Sequence, residues 1–243
     1  GEDILKMLLE NKQTAIFITT KIYKYFVNEN TENSVHQAII TQLADKFYKS
    51  DYNIGELMEE IFTADWFYED YNIGTRIKSP VELLIGLRKQ LGIIFQDKDA
   101  QLLIQKVLGQ VLFYPPNVAG WKEGKSWIDS STLMMRILLA GMLFKAEGIT
   151  LQAKQDGDVN TDFFAKKKML NIKASLSFSH FQKVFAKTKP ENLITEIADY
   201  LLQTPLLDNN RKIIQAKIQG NQQDELIKTT VIALTSLPEY QLC

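Results

Sequence analysis

Arg76-Ile77-Lys78-Ser79-Pro80-Val81-Glu82-Leu83-Leu84 contains a near-complete helix start. Ser79 can cap the first turn, Pro80 has the fixed φ suited to the first helical position, and Glu82 can reach back to the cap's N–H. Apolar residues then follow almost all round: Val81, Leu83, Leu84, Ile85 and Leu87. A helix with so little polar face belongs at the centre of a helical protein. A second such helix, Leu133 to Lys145, follows a cap at Asp129 or Ser130. With Leu84 and Leu138 expected in the core, the pattern predicts an all-α fold, roughly ten helices in one compact domain over residues 1–243.

Helical periodicity dominates on both sides. Ile4, Leu5, Leu8 and Leu9 share a face of the segment Asp3 to Glu10. Ala15, Ile18, Ile22 and Phe26 repeat the pattern, with Ile16 and Tyr23 beside them. Val35, Ile39, Leu43 and Phe47 form one apolar stripe, and His36, near Ile40, is expected half-exposed. Asn53-Ile54-Gly55 leads into Leu57, Met58, Ile61 and Phe62. A helix from Asp99 to Val111 is expected to end at Pro115-Pro116. Residues 146–162 are polar and read as a mobile loop. Helices are expected again over Phe163–Leu170, His180–Lys187, Leu193–Leu202, Arg211–Gln219 and Asp224–Leu234, with a second capping box at Thr188-Lys189-Pro190-Glu191. Strand-like alternation is confined to Ala174–Phe178.

The bulk composition excludes several classes. The 243 residues are 45% apolar and 23% charged, as in ordinary globular proteins with a sizeable core. The net charge of -1 offers no basic excess for nucleic acid, and Lys166-Lys167-Lys168 reads as a solvated face. The single cysteine, Cys243, rules out an intrachain disulfide. The most apolar run, Leu133 to Phe144, is shorter than the ~20 residues a membrane span needs, and it carries Arg136. Gly1 ahead of Glu2-Asp3 reads as an expression scar, and the chain as a fragment of a longer protein.

Motifs of chemistry fare poorly. Ala119-Gly120-Trp121-Lys122-Glu123-Gly124-Lys125-Ser126 fits a loose phosphate-binding loop. Such a loop must follow a strand and open directly onto a helix, whereas prolines precede this one and Glu123 opposes an anion. Gly120 and Gly124 instead suit tight turns, with Trp121 and Trp127 pinning a loop to the core. Asp156-Gly157-Asp158-Val159-Asn160-Thr161-Asp162 alternates oxygen ligands as a calcium loop does, but Thr161 and Lys167 stand where glycine and a bidentate glutamate are needed. Neither His36 nor His180 sits in a metal-binding spacing, so neither metal nor cofactor is expected. Arg136, among Met134, Met135, Ile137, Leu138 and Leu139, must snorkel or pair. An internal bridge to Glu82 is the first expectation; anchoring a ligand is the alternative.

The chain resembles a large bacterial family known as domain of unknown function 1800. The likeness is carried by Gly1-Glu2-Asp3-Ile4-Leu5, Lys21-Ile22-Tyr23-Lys24-Tyr25-Phe26-Val27, Lys78-Ser79-Pro80-Val81-Glu82, Tyr114-Pro115-Pro116-Asn117-Val118-Ala119-Gly120-Trp121, Ser130-Ser131-Thr132-Leu133 with Arg136, and the closing Leu237-Pro238-Glu239-Tyr240-Gln241. The resemblance implies the C-terminal part of a longer chain, export, a periplasmic, envelope or extracellular location, and another exported envelope protein as partner. It offers no activity to transfer.

Two functional classes therefore stand. The leading one is a non-catalytic helical structural or interaction module of an exported protein. The other is the C-terminal half of an enzyme or carbohydrate- or polymer-binding protein whose catalytic groups lie further towards the N-terminus. Trp121, Trp127 and Arg136 are its candidate ligand-binding residues. Buried indoles favour the module; exposed indoles flanking a concave pocket favour the cleft.

Overall fold

A computed structural model describes residues 1–145, 149–151, 170–218 and 222–243. The fold is essentially all-α, and the chain groups into two compact units, 1–76 and 77–243. The near-zero total charge conceals a segregation between them. The first unit has seven Lys/Arg against thirteen Asp/Glu, a net -6, and the second has 21 against 16, a net +5.

The first unit contains α1 (Glu2–Glu10), α2 (Lys12–Phe26), α3 (Ser34–Lys49) and α4 (Ile54–Thr63). Asparagines at 11, 33 and 53 cap the last three, each side chain accepting a backbone N–H of the first turn. The apolar face of α1 is exposed throughout. On α2 the buried line is Ala15, Thr19 and Tyr23, whereas Phe26 is exposed. On α3 it begins at His36, not Val35, and continues through Ile40, Leu43, Ala44 and Phe47. His36 is thus buried where half-exposure was expected. The cause is a polar pairing across the two helices: Tyr23 Oη and His36 Nδ1 are hydrogen-bonded at 2.7 Å. Asn28 and Asn72 are similarly joined, at 3.0 Å. Buried polar groups must find partners, and the Tyr23–His36 pairing gives each of these two side chains one.

The second unit is built on α5 (Pro80–Gln90), α6 (Ala100–Leu108), α7 (Ser130–Phe144), α8 (Ser179–Val184), α9 (Pro190–Leu201), α10 (Asp208–Lys217) and α11 (Gln223–Thr235). Leu83, Leu84 and Leu87 of α5 and Leu139, Ala140 and Leu143 of α7 lie in one core with Ile104, Phe181, Ile197, Ile227 and Val231. Both sequence-predicted central helices are therefore central. Leu138, however, is 45% exposed, and its neighbour Leu139 is the buried leucine. On a helix that is apolar nearly all round, periodicity does not identify the inner face.

Short strands trim this unit. β1 (Ile94–Phe95) pairs antiparallel with β4 (Ala174–Ser175), and β2 (Ile149–Leu151) with β3 (Leu170–Ile172). Leu170, expected at a helix end, thus lies in a strand. The remainder of the expected loop 146–162, the calcium-like segment, the lysine run and the rest of the helix expected over Phe163–Leu170 fall outside the described residues. α6 ends at Gly109, whose φ of 92° turns the chain, well before the prolines expected to stop it. Thr188 forms no capping box; its hydroxyl donates to Glu196 Oε2 at 2.6 Å instead.

Two outcomes follow from this packing. Leu139→Ala should cost ~2–5 kcal/mol in denaturant unfolding, and Leu138→Ala less than ~1 kcal/mol. Equal costs would contradict the assigned face. Tyr23, buried and near Tyr71, has its pKa pushed up to about 12 from 10.0. The folded state therefore holds that proton more tightly than the unfolded chain. Its contribution to stability is full below pH 10 and lost as pH rises through 12. A plot of unfolding midpoint against pH should decline less steeply for Tyr23→Phe than for wild type in that alkaline window.

Candidate functional site

The stretch Lys78–Glu82 and Arg136, both quoted for the family likeness, meet in the second unit with the chain's last residues. Ser79 and Glu82 form the complete capping box: Glu82 N donates to Ser79 Oγ at 3.3 Å, and Ser79 N donates to Glu82 Oε2 at 2.7 Å. This fixes the backbone of Lys78 immediately upstream. Lys78 N then donates to Gln241 O at 2.8 Å, and Ile77 bridges Leu242 in an antiparallel pairing. Lys78 Nζ donates to Tyr240 O at 2.7 Å and lies 4.1 Å from the centre of the Tyr240 ring. Tyr240 is itself buried, and its hydroxyl donates to Gln90 Oε1 at the far end of α5. Asn210 Nδ2 donates to Glu239 Oε1 at 2.6 Å.

Arg136 closes this clasp from α7. It is wholly buried, the largest fully buried side chain described. Its Nη2 donates to Lys78 O at 2.8 Å and its Nη1 to Gln241 Oε1 at 3.3 Å. Burial pulls its pKa down to about 10, opposed by the nearby Glu82 carboxylate, which favours the charged form. Lys78 is likewise lowered by burial and drawn back up by charge at Cys243 and at Glu82. Burial raises the Tyr240 pKa, keeping the phenol protonated as a donor. Glu82 thus acts electrostatically on both cations while its carboxylate serves the helix cap.

The sequence singles out Arg136 and Glu82; the structure adds Lys78, Tyr240 and Gln241. Lys78 and Tyr240 stand 162 positions apart, so no local pattern links them. The signal that was available is chemical. An arginine inside an uncharged helix needs several acceptors, and one carboxylate already committed to a cap does not supply them all. Arg136 Nε, Gln241 Nε2 and Glu239 Oε2 are buried with no hydrogen-bond partner among the described residues.

The tryptophan loop is a separate piece of engineering. Trp127 is buried in a 3-10 turn, Gly124–Trp127, which runs into the start of α7. Its carbonyl accepts from Thr132 Oγ1 at 3.0 Å. Asp129 caps α7 through Oδ1, which accepts from Ser131 N and Thr132 N, both at 2.8 Å. Trp121 is half-buried, with its Nε1 inside and unpartnered among the described residues. Gly120 and Gly124 have φ of 90° and 55°, the left-handed turns their positions demand. The stretch ahead of Gly120 is turns, not a strand, so the strand–loop–helix context of a phosphate site is not met. Elsewhere, His180 Nε2 and Tyr200 Oη are hydrogen-bonded at 2.8 Å on the surface. Among the described residues no group of three or more His, Cys, Asp or Glu could hold a metal ion.

The clasp yields a stability outcome. Arg136→Met leaves Lys78 O and Gln241 Oε1 buried without their donor, which should cost ~1–3 kcal/mol. Thermal unfolding that is unchanged or raised would mean the guanidinium is not a structural tie.

No curated protein and no solved structure matches the chain. A family model described as "Protein of unknown function (DUF1800)" matches residues 1–242. With essentially its whole length matched, and with the capping box and the Arg136 clasp built from residues that carry the likeness, the chain belongs to that uncharacterised family.

Proposed function

We propose that the chain is a helical structural or interaction module of an exported bacterial protein, working in the periplasm, cell envelope or medium beside another exported envelope protein. The observation that carries the module reading is the use made of the family's signature residues. Arg136, the largest charged side chain in the core, donates to a backbone carbonyl and a side-chain amide that join α5, α7 and the segment Glu239–Gln241. Trp127 is buried in the turn that leads into α7. Arg136 thus supports the module reading by tying these segments together inside the unit. Export and an envelope partner are supported by the family resemblance. No described helix is long and apolar enough to cross a membrane.

The test is fractionation of cells producing the full native protein, with protease added to intact cells and to spheroplasts. Digestion only after the outer barrier is opened, or recovery from the medium, is the expected result. Retention with a cytoplasmic marker would overturn the exported reading.

A further inference from the structure

We propose that the loop from Val111 to Trp121 seats the protein on a lipid bilayer, its apolar tip entering the headgroup–acyl boundary. This rests on the interaction-module reading and names the surface that such a module engages. The sequence is unusual first in what it lacks: the fifteen residues from Val107 to Trp121 contain no charged side chain. Within them, Leu112, Tyr114 and Val118 are exposed, and Phe113 is 89% exposed.

The loop is nevertheless held in one shape. Gln105 Oε1 accepts from Leu112 N at 2.9 Å, and Gln110 Oε1 accepts from Val81 N at 3.0 Å, tying both ends of the first turn to helices. Tyr114 N donates to Val111 O at 3.0 Å, and Gly120 N donates to Asn117 O at 3.1 Å. Pro115-Pro116 stiffens the span between the two turns. At the tip, Phe113 has a φ of 64°, a left-handed conformation that a bulky residue adopts only under strain. Glycine would relieve it. Strain retained at an exposed phenylalanine is explained by what the ring does outside the protein, since it packs little inside.

Composition favours lipid over a protein partner. Protein interfaces need about one hydrogen bond per 100–200 Å², yet Leu112, Phe113 and Val118 have apolar side chains. Tyr114, exposed and with a polar tip on an apolar body, is a residue type enriched at a membrane–water interface. Exposed Lys122 and Lys125 follow directly, with Glu123 opposing them, in a unit of net charge +5. That polarity fits an anionic lipid surface. The backbone of the loop still needs hydrogen-bond partners, so only side-chain depth is inserted and nothing spans.

The test is flotation of the purified chain with phosphatidylcholine vesicles, with and without phosphatidylglycerol. Wild type should float with both, more with phosphatidylglycerol. Phe113→Asp and Val118→Asp should each lower the bound fraction about tenfold or more with unchanged far-ultraviolet dichroism, as expected when exposed apolar area is lost. Phe113→Gly is the second variant: it should keep or raise the unfolding midpoint while losing binding. Lys122→Glu with Lys125→Glu should remove only the phosphatidylglycerol increment. Absence of flotation by wild type, full flotation by Phe113→Asp, or a lipid-independent dimer abolished by Phe113→Asp would overturn the proposal. None of those results alters the fractionation outcome that tests the exported reading.

Discussion

A fully buried guanidinium must be given acceptors inside the protein, and the second unit is organised around meeting that demand. Taking an ion out of water costs several kcal/mol, which only good geometry and additional hydrogen bonds offset. Arg136 obtains them from a backbone carbonyl at Lys78 and a side-chain amide at Gln241. Neither group is on its own helix. Three segments remote in sequence are therefore brought to one point, and a displacement of any of them would leave a charge unsolvated. A second cation, Lys78, is bound into the same clasp through Tyr240 and is also resisted by burial. Glu82 moderates both while capping α5.

The first unit follows the same logic with neutral groups. Tyr23 and His36, and Asn28 and Asn72, satisfy one another across elements that apolar contacts alone would allow to slide. Around them run edge-to-face aromatic contacts, from Tyr25 through Phe26, Phe62 and Phe67 to Tyr68. Such polar pairings contribute modestly to stability when made, but leaving one unmade is costly. They select one register among the many that a Leu- and Ile-rich helical surface permits.

What was legible in the sequence was local. The capping box at Ser79, the cap at Asp129 and the start of α4 after Asn53 depend on residues within one turn of each other, and all three form. The all-α class follows from periodicity over whole segments. What was not legible depended on distant partners or on the choice between equally apolar faces. Leu139 rather than Leu138 faces inward because α7 is apolar on most sides. His36 displaces Val35 because Tyr23 awaits it from another helix. Thr188 leaves its expected cap for Glu196, eight positions along the chain. At the candidate site, Arg136 announced itself as a charge without solvent, but its acceptors belong to a backbone and to the chain's far end. Gly109 stopped α6 by a left-handed turn before the more conspicuous prolines could.

The central claim is that Arg136 and Gln241 stabilise one arrangement together rather than separately. A double-mutant cycle in denaturant unfolding, with Arg136→Met, Gln241→Leu and the pair, measures it most directly. The account predicts a coupling free energy of about 1 kcal/mol or more between the two positions. Additivity within about 0.3 kcal/mol would contradict it, placing the guanidinium's contribution elsewhere.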